Sequence, residues 1–280
     1  MIKSLKGKIA LVTGGAKRIG KAISLALAEE GVNVIVHYSL SSVEAADICA
    51  QIAGRGLKAW TINADFENPY EYETLIKRAM ALTGHLDILI NNASIFSTDT
   101  IDDIDFTTLS RHVGINAWVP FLLMREFAHL TQGSVVNILD TRIKGYDWKH
   151  VSYILSKHLL FDLIKMSAQK FAPAVSVNAV APGLILPPIG KDESYLDHLA
   201  QNLPLNRHGE LEDITAAVLY LLKNDFMTGQ VLFLDGGRHL LEEENGQNFD
   251  QGSDRALYSG RERRRTARET GSRDQPHNRD

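Results

Sequence analysis

Seven short apolar runs, most of them rich in valine or isoleucine, recur along the chain with room for a helix between neighbours. They read KIALVT (8–13), VNVIVH (32–37), KAWTIN (58–63), LDILIN (86–91), SVVNIL (134–139), AVSVNAV (174–180) and QVLFLD (230–235). Strands that alternate with helices build a parallel sheet covered on both faces. The runs are near-continuously apolar rather than alternating, as strands buried on both sides must be. The intervening stretches, such as KAISLALAEEG and EYETLIKRAMALTG, carry helical periodicity and end on glycine. The expected fold is α/β, a doubly wound parallel sheet of about seven strands with helices on both faces.

A chain of 280 residues with 44% apolar content can build a substantial core. Its formal charge of −4 and isoelectric point near 6.2 give no general pull toward nucleic acid or membranes. The single cysteine, Cys49, cannot form an intrachain disulfide, which fits a reducing cytosol. No apolar stretch approaches the roughly 18 residues of a membrane span, and no signal-peptide core precedes the first strand. These features predict a cytoplasmic protein with no nucleic-acid or membrane partner. Composition shifts near residue 240: positions 241–280 hold nine acidic residues and eight arginines with few apolar groups. Such a segment buries too little surface to offset the entropy of ordering. The sequence therefore predicts one domain over 1–240 and a charged, disordered tail over 241–280.

The segment LVTGGAKRIGKAI follows the first strand and opens a helix. Gly14 and Gly20 bracket a loop whose backbone N–H groups can face a pyrophosphate at the helix N-terminus. Gly14, Lys17, Arg18, Ile19 and Gly20 are thus candidate cofactor ligands in a Rossmann-like arrangement. The end of the second strand chooses between dinucleotides. A carboxylate there would accept from a ribose 2′-OH, but this chain reads VIVHYSLSS, with His37, Tyr38, Ser39 and Ser41. Hydroxyls and an imidazole tolerate or bind a 2′-phosphate that an acid would repel, and Lys17 and Arg18 add positive charge. NADP(H) is the expected cofactor. Ser41 and Ser42 also suit the N-terminus of the next helix.

Tyr153 and Lys157 lie one helical turn apart after the fifth strand. A phenol with an ordinary pKa of about 10 exchanges protons poorly at neutral pH, and an ammonium one turn away favours the phenolate. Tyr153 is the candidate acid and Lys157 its tuner. At these residues the chain resembles the short-chain dehydrogenase/reductase family, over about residues 5–240. The matching motifs are Thr13-Gly14…Gly20, Asp65 in NADF, NNAS at 91–94, Asn116 in GINAWVPF, Tyr153 with Lys157, Pro182-Gly183, and DGG at 235–237. The resemblance implies that Asp65 meets the adenine and that Asn92, Ala93, Ser94, Pro182 and Gly183 line the cofactor. It implies that Lys157 also holds the ribose, that Tyr153 adjoins the nicotinamide, and that Asn116 orders a proton-relay water. It further implies a homotetramer acting on a small molecule.

Three positions depart from the common pattern of that family. Arg18 stands where another glycine is usual, and Asp140, thirteen residues before the tyrosine, stands where a serine is usual. NNAS replaces NNAG and is followed by Ile95 and Phe96. All three resemble the pteridine reductase branch, including bacterial dihydromonapterin reductases, as does the closing DGGRHL. By that resemblance Arg18 lies by the phosphates and a pterin, with Ser94 beside the substrate. Phe96 stacks on the pterin opposite the nicotinamide, and Asp140 joins Asn116, Tyr153 and Lys157 in the catalytic group.

The chemistry agrees. In ketone reduction an ionised Asp140 would repel the developing oxyanion. Reduction of a C=N bond adds hydride to carbon and a proton to nitrogen. A carboxylic acid hydrogen-bonded to Tyr153 can help deliver that proton, and its anion suits an N–H-rich ring. Phe96 offers a flat face, and Arg18 can reach a ring oxygen or a phosphate. The expected activity is NADPH-dependent reduction of a dihydropterin, such as dihydromonapterin, dihydrobiopterin or dihydrofolate. A 3-oxoacyl-thioester or ketone reductase, or a non-catalytic NADPH-sensing protein, are the alternatives.

The stretch 183–209 lies where this family places its substrate lid. Pro187 and Pro188 break a helix there, and DESYLDHLAQNL resumes one. His198 and His208 lack partners at metal-ligand spacing, so no metal is expected. Trp118, beside Phe121 and Leu122, reads as core or subunit interface.

Overall fold

The computed structural model describes residues 3–188 and 190–241. Each apolar run forms a strand within two residues of its expected bounds: β1 Ile9–Val12, β2 Asn33–Tyr38, β3 Ala59–Asn63, β4 Ile88–Asn91, β5 Gly133–Ile138, β6 Val175–Pro182 and β7 Val231–Leu234. They form a single parallel sheet in the order β3-β2-β1-β4-β5-β6-β7. The chain winds outward from β1 to β3, returns to place β4 on the other side of β1, and winds outward again. This is the doubly wound Rossmann-like sheet the sequence predicts. Its strand order reverses between β1 and β4, where such sheets open a crevice at their carboxyl ends.

Helices cover both faces: α1 Arg18–Glu29, α2 Ser42–Ala53, α3 Pro69–Glu73, α4 Leu75–Thr83, α5 Phe106–Val113, α6 Val119–Leu130, α7 Val151–Phe171, α8 Glu193–Ala200 and α9 Leu211–Lys223. Successive strand residues point to opposite faces, so each strand feeds two cores. Leu11, Ile35, Leu89, Val135 and Val177 pack with Ile76, Phe127 and Ile164 from α4, α6 and α7. Ala10, Val12, Val34, Val36 and Ile90 pack with Ile23, Leu27, Ile48 and Val218 from α1, α2 and α9.

Local chemistry explains the departures from expectation. The periodic stretch EYETLIKRAMALTG is two helices rather than one, broken at Thr74. The Thr74 hydroxyl donates to Tyr70 O at 2.8 Å and competes with the backbone ladder. Gly84 then ends α4 in the left-handed region at φ 84, donating to Met80 O. Ser41 stands at the head of α2 without a side-chain cap. A helix does resume beyond the two prolines, as α8. Among the described residues no helix is long and apolar enough to cross a membrane. The tail expected over 241–280 lies, from residue 242 on, outside the described residues.

Two features position the reacting side chains. Between α5 and α6 the chain makes a π-helical turn, Gly114–Trp118, which contains Asn116. The first turn of α7 is capped from a distance: the Asp99 carboxylate, in the loop after β4, accepts from Ser152 N at 3.1 and 3.3 Å. That contact sets the helix end bearing Tyr153 and Lys157. At the head of α1, a Cβ on Gly20 would lie 2.1 Å from Gly14 O. Gly20→Ala is therefore expected to destabilise the fold by about 1–3 kcal/mol, read as a lower urea midpoint at unchanged m-value.

Candidate active site

The crevice is built on Thr13, the residue that leaves β1. Its Oγ1 donates to Ile90 O at 3.2 Å and accepts from Asn92 N at 2.9 Å and Ala93 N at 3.0 Å. Asn92 Nδ2 returns the contact, donating to Thr13 O at 2.9 Å and Gly14 O at 3.2 Å. Asn92 and Ala93 thus join the two loops that flank the crevice. Gly14 has φ 60, and a Cβ there would come within 3.1 Å of Asn92 Nδ2 and Ala93 Cα. No side chain caps α1, so its leading N–H groups, on Arg18, Ile19 and Gly20, are disposed to hold a phosphate. Beside them an open cleft of about 370 Å³ is lined by Lys17, Arg18, Lys21, Glu44 and Asp47, among others. Lys17 pairs with Glu44 at 2.8 Å, both half exposed, a contact weak enough to yield to a phosphate. Pro182 closes β6 opposite Leu234, and Gly183 follows it where a Cβ would lie 2.6 Å from that of Asp235.

One expected cofactor contact turns out otherwise, and two other expected ligands also make contacts within the chain. His37 is buried, not presented to a 2′-phosphate. Its Nδ1 accepts from Gly14 N at 3.0 Å, its Nε2 pairs with Ala64 O at 3.1 Å, and its ring stacks on Phe66. An acceptor Nδ1 makes Nε2 the protonated nitrogen, so the ring is neutral, and burial lowers its pKa from 6.5 to about 4. Tyr38, Ser39 and Ser41 remain at the strand end, partly or fully exposed. Asp65 forms a local turn, its carboxylate accepting from Glu67 N at 2.9 Å. Arg18, at φ 51, takes the left-handed conformation that makes glycine usual at this place, a strain of about 1–2 kcal/mol. Its Nη2 donates to Pro187 O at 3.0 Å and ties the first loop to the loop after β6.

The reacting end assembles as expected at its centre. Tyr153 OH donates to Asp140 Oδ2 at 3.0 Å. What the sequence did not reveal is the partner of Asp140. Arg142 donates to the same carboxylate from its backbone N (2.9 Å), Nε (3.0 Å) and Nη2 (2.9 Å). It also pairs with Asp147, whose Oδ2 accepts from His150 Nδ1 at 2.9 Å. The His150 ring stacks on Phe96 at 4.1 Å, and Phe96 meets the Tyr153 ring edge-on at 4.7 Å while staying half exposed. Burial would raise the pKa of Asp140, but the charge and hydrogen bonds of Arg142 outweigh it and hold it below the usual value. Asp140 is therefore an anion and an acceptor, not the carboxylic acid considered from sequence. Tyr153 is pushed well above 10 by burial and by Asp140. Lys157 makes no hydrogen bond to the phenol. Its ammonium donates to Ile138 O at 2.9 Å and lies 5.5 Å from the Tyr153 ring centroid. Burial lowers its own pKa from 10.5 to about 8, against the pull of Asp140.

A family model described as Enoyl-(Acyl carrier protein) reductase matches residues 14–239. The chain belongs to the short-chain dehydrogenase/reductase family. As such it is an NAD(P)-dependent reductase. The 3-oxoacyl-(acyl-carrier-protein) reductase FabG of Staphylococcus epidermidis is 31% identical over 246 residues, 83% of this chain and 99% of that protein. Among solved structures, FolM alternative dihydrofolate reductase 1 from Brucella canis, complexed with NADP, superposes with a TM-score of 0.82. It shares 34% identity over 88% of this chain and 99% of that one. The Brucella suis FolM, also in complex with NADP, gives 0.81 at 35% identity, covering 87% and 99%.

Within this reductase Asn116 is a brace. Its Oδ1 accepts from Ile95 N (2.8 Å) and Ser94 Oγ (3.1 Å), and its Nδ2 donates to Ile95 O (3.0 Å) and Ser156 Oγ (3.0 Å). All four hydrogen-bonding valences of the side chain are used, so it fixes the strand end that carries Ser94 and Phe96. Arg142 had one sequence signal, its place two residues beyond Asp140, where a strand-end Asx turn brings the two together. Asp147 and His150 had none.

His37 yields a pH prediction. Its folded pKa is depressed, so its contribution to stability is complete above pH 6.5 and is lost as pH falls toward about 4. His37→Gln is expected to flatten that acid limb by up to about 3 kcal/mol, measured as urea-unfolding free energy against pH for both proteins.

Proposed function

We propose that the protein reduces a dihydropterin to its tetrahydro form with NADPH. The observation that carries this reading is Asp140, met by three donors of Arg142 and hydrogen-bonded to Tyr153 at 3.0 Å beside the half-exposed Phe96 ring. A carboxylate accepts hydrogen bonds and cannot donate them. It suits the amine and amide N–H groups at the edge of a reduced pteridine, whereas it would oppose the oxyanion that grows when a ketone is reduced. The similarity to the NADP-bound Brucella FolM proteins supports the same reading.

The residues fit the cofactor: an uncapped helix start, Lys17 and Arg18 beside it, and hydroxyls rather than an acid after β2. Gly14, Ile19, Gly20, Asn92, Ala93, Ser94, Pro182 and Gly183 would line it, with Tyr38, Ser39 and Ser41 toward the 2′-phosphate and Lys157 toward the ribose. When bound, NADPH supplies the hydride. Phe96, backed by His150, offers the face against which a flat ring can lie. Tyr153, neutral across the physiological range, is the proton donor to the ring nitrogen. Asp140 holds the phenol in place, and its Oδ2 becomes free to accept from a ring N–H group when Tyr153 turns its proton to the substrate. Arg142 keeps Asp140 charged, and with Lys157 it opposes the negative charge left on Tyr153.

A second reading, 3-oxoacyl-thioester reduction, is favoured by the similarity to FabG. Following NADPH absorbance with dihydromonapterin, dihydrobiopterin, dihydrofolate and acetoacetyl thioesters separates the two. Turnover of thioesters alone would sink the pterin reading. Asp140→Ser is expected to lower pterin kcat at least about 100-fold while leaving the NADPH Kd within about threefold. An equal loss in both would mark Asp140 as structural. Because Lys157 sheds its proton near pH 8, kcat/KM is expected to fall above that pH. Lys157→Arg, which stays charged, should remove that limb from the profile.

A further inference from the structure

Each charged side chain of the reacting cluster has its partner, with one exception. Asp140 is met by Arg142 and Tyr153, Asp147 by Arg142 and His150, and Lys157 by Ile138 O. Asp235, just after β7, accepts from Gly237 N (3.0 Å), His239 N (2.8 Å), His239 Nδ1 (3.0 Å) and Thr141 Oγ1. The exception is Arg238. Its backbone N donates to Asp235 O at 3.1 Å, but its guanidinium makes no hydrogen bond or ion pair among the described residues. The residue is partly buried rather than fully extended into solvent. Burial, and then repulsion from Arg142, lower its pKa, and Asp140, Asp147 and Asp235 act in the opposite direction. Arg238 therefore lies within electrostatic reach of the reacting cluster without bonding to it.

Its place in the fold is well defined. The turn Arg238–Leu240 packs against the turn Thr141–Lys144 that follows Asp140, and Thr141 and Asp235 link the two. On the other side, Leu205 N donates to Gly236 O at 3.1 Å. Gly236 and Gly237 lie directly against Leu203 and Pro204, with would-be Cβ distances of 3.4 and 2.9 Å. Arg238 thus stands between the catalytic turn and the end of β7, next to the glycine pair that packs on the loop at 203–205. Its five N–H donors and fixed charge are only partly buried and are committed to no group of the described residues, so they are available to an anion that enters beside the catalytic turn.

We propose that Arg238 is the receptor for a carboxylate carried by the substrate, so that the enzyme prefers a pterin conjugate with an acidic tail, such as dihydrofolate, to a bare dihydropterin. The planar guanidinium matches a carboxylate bidentately, and Arg238 lies on the turn that packs beside the catalytic one, where it can meet a part of the substrate other than the reacting ring. Arg142 cannot take this part, since Asp140 and Asp147 already occupy it. The proposal rests on the dihydropterin reading above.

The test compares wild type, Arg238→Met and Arg238→Lys, each as the full chain with saturating NADPH, on dihydrofolate and on dihydrobiopterin, which has no carboxylate. In Arg238→Met the KM for dihydrofolate is expected to rise about 10-fold or more, while the KM for dihydrobiopterin moves less than about threefold. Arg238→Lys, which keeps the charge but loses the fork, should fall between. An equal rise on both substrates, or no change on either, overturns the proposal. Acetoacetyl-coenzyme A and its uncharged N-acetylcysteamine counterpart form the second arm. If wild type turns over only the thioesters, the pterin reading has failed and the carboxylate with it. In that case a loss confined to acetoacetyl-coenzyme A would identify the carrier phosphates as the anion bound. If wild type reduces dihydropterins and the variants discriminate as stated, both readings stand. Thermal midpoints of the variants within a few degrees of wild type exclude a folding defect as the cause, and so does retained turnover of dihydrobiopterin.

Discussion

The contact between Thr13 and the chain at Asn92–Ala93 joins the two strands between which the sheet reverses its winding. Parallel strands that diverge to opposite sides leave a gap at their carboxyl ends, and the loops leaving them would separate without a bond across it. One hydroxyl spans that gap by donating to Ile90 and accepting from two successive amides. Everything that could hold a dinucleotide phosphate depends on this closure: the left-handed Gly14, the close approach of Gly20 and the open end of α1. His37 contributes from the neighbouring strand by accepting the Gly14 amide. A residue that reads as a ligand is therefore part of the frame that shapes the loop.

The reacting end is a contest between burial and pairing. Removing a carboxylate from water costs several kcal/mol unless opposite charge and hydrogen bonds replace the lost solvation. Arg142 supplies both, with three N–H groups directed at one carboxylate, and so Asp140 stays ionised. The consequence passes to Tyr153, which faces an anion at 3.0 Å with its lysine neighbour bonded elsewhere. The phenol is thereby held protonated. A donor on one oxygen and an acceptor on the next is a pattern that a ring bearing both an imine nitrogen and N–H groups can satisfy. A lone carbonyl satisfies only half of it.

The sheet was legible because buried parallel strands must be written as apolar runs, and every one lies within two residues of where the runs place it. The break at Thr74 was hidden because a threonine is tolerated inside a helix and only its bond to Tyr70 interrupts this one. The site was legible where spacing along one element carries the chemistry, as for Tyr153 and Lys157 on α7. It was not legible where the decisive contact joins separate segments. Asn116 and Ile95, His37 and Gly14, and Arg238 beside the turn at 141–144 meet only after the chain has folded. Arg142 lies between these cases: the loop after β5 brings it back on Asp140, and hydrophobic period says nothing about loops.

The short distance along the chain between Asp140 and Arg142 has one more consequence. The carboxylate that distinguishes this site carries its counter-ion on the same turn, two residues away, and needs no partner from another element. Acid and base thus travel together as Asp-x-Arg, a self-neutralising insert at the end of a strand. Transferred alone into a relative with serine at that place, the aspartate would arrive as an uncompensated buried charge; transferred with its arginine, it would bring its own ionisation state with it. The heritable unit of this chemistry is three residues long.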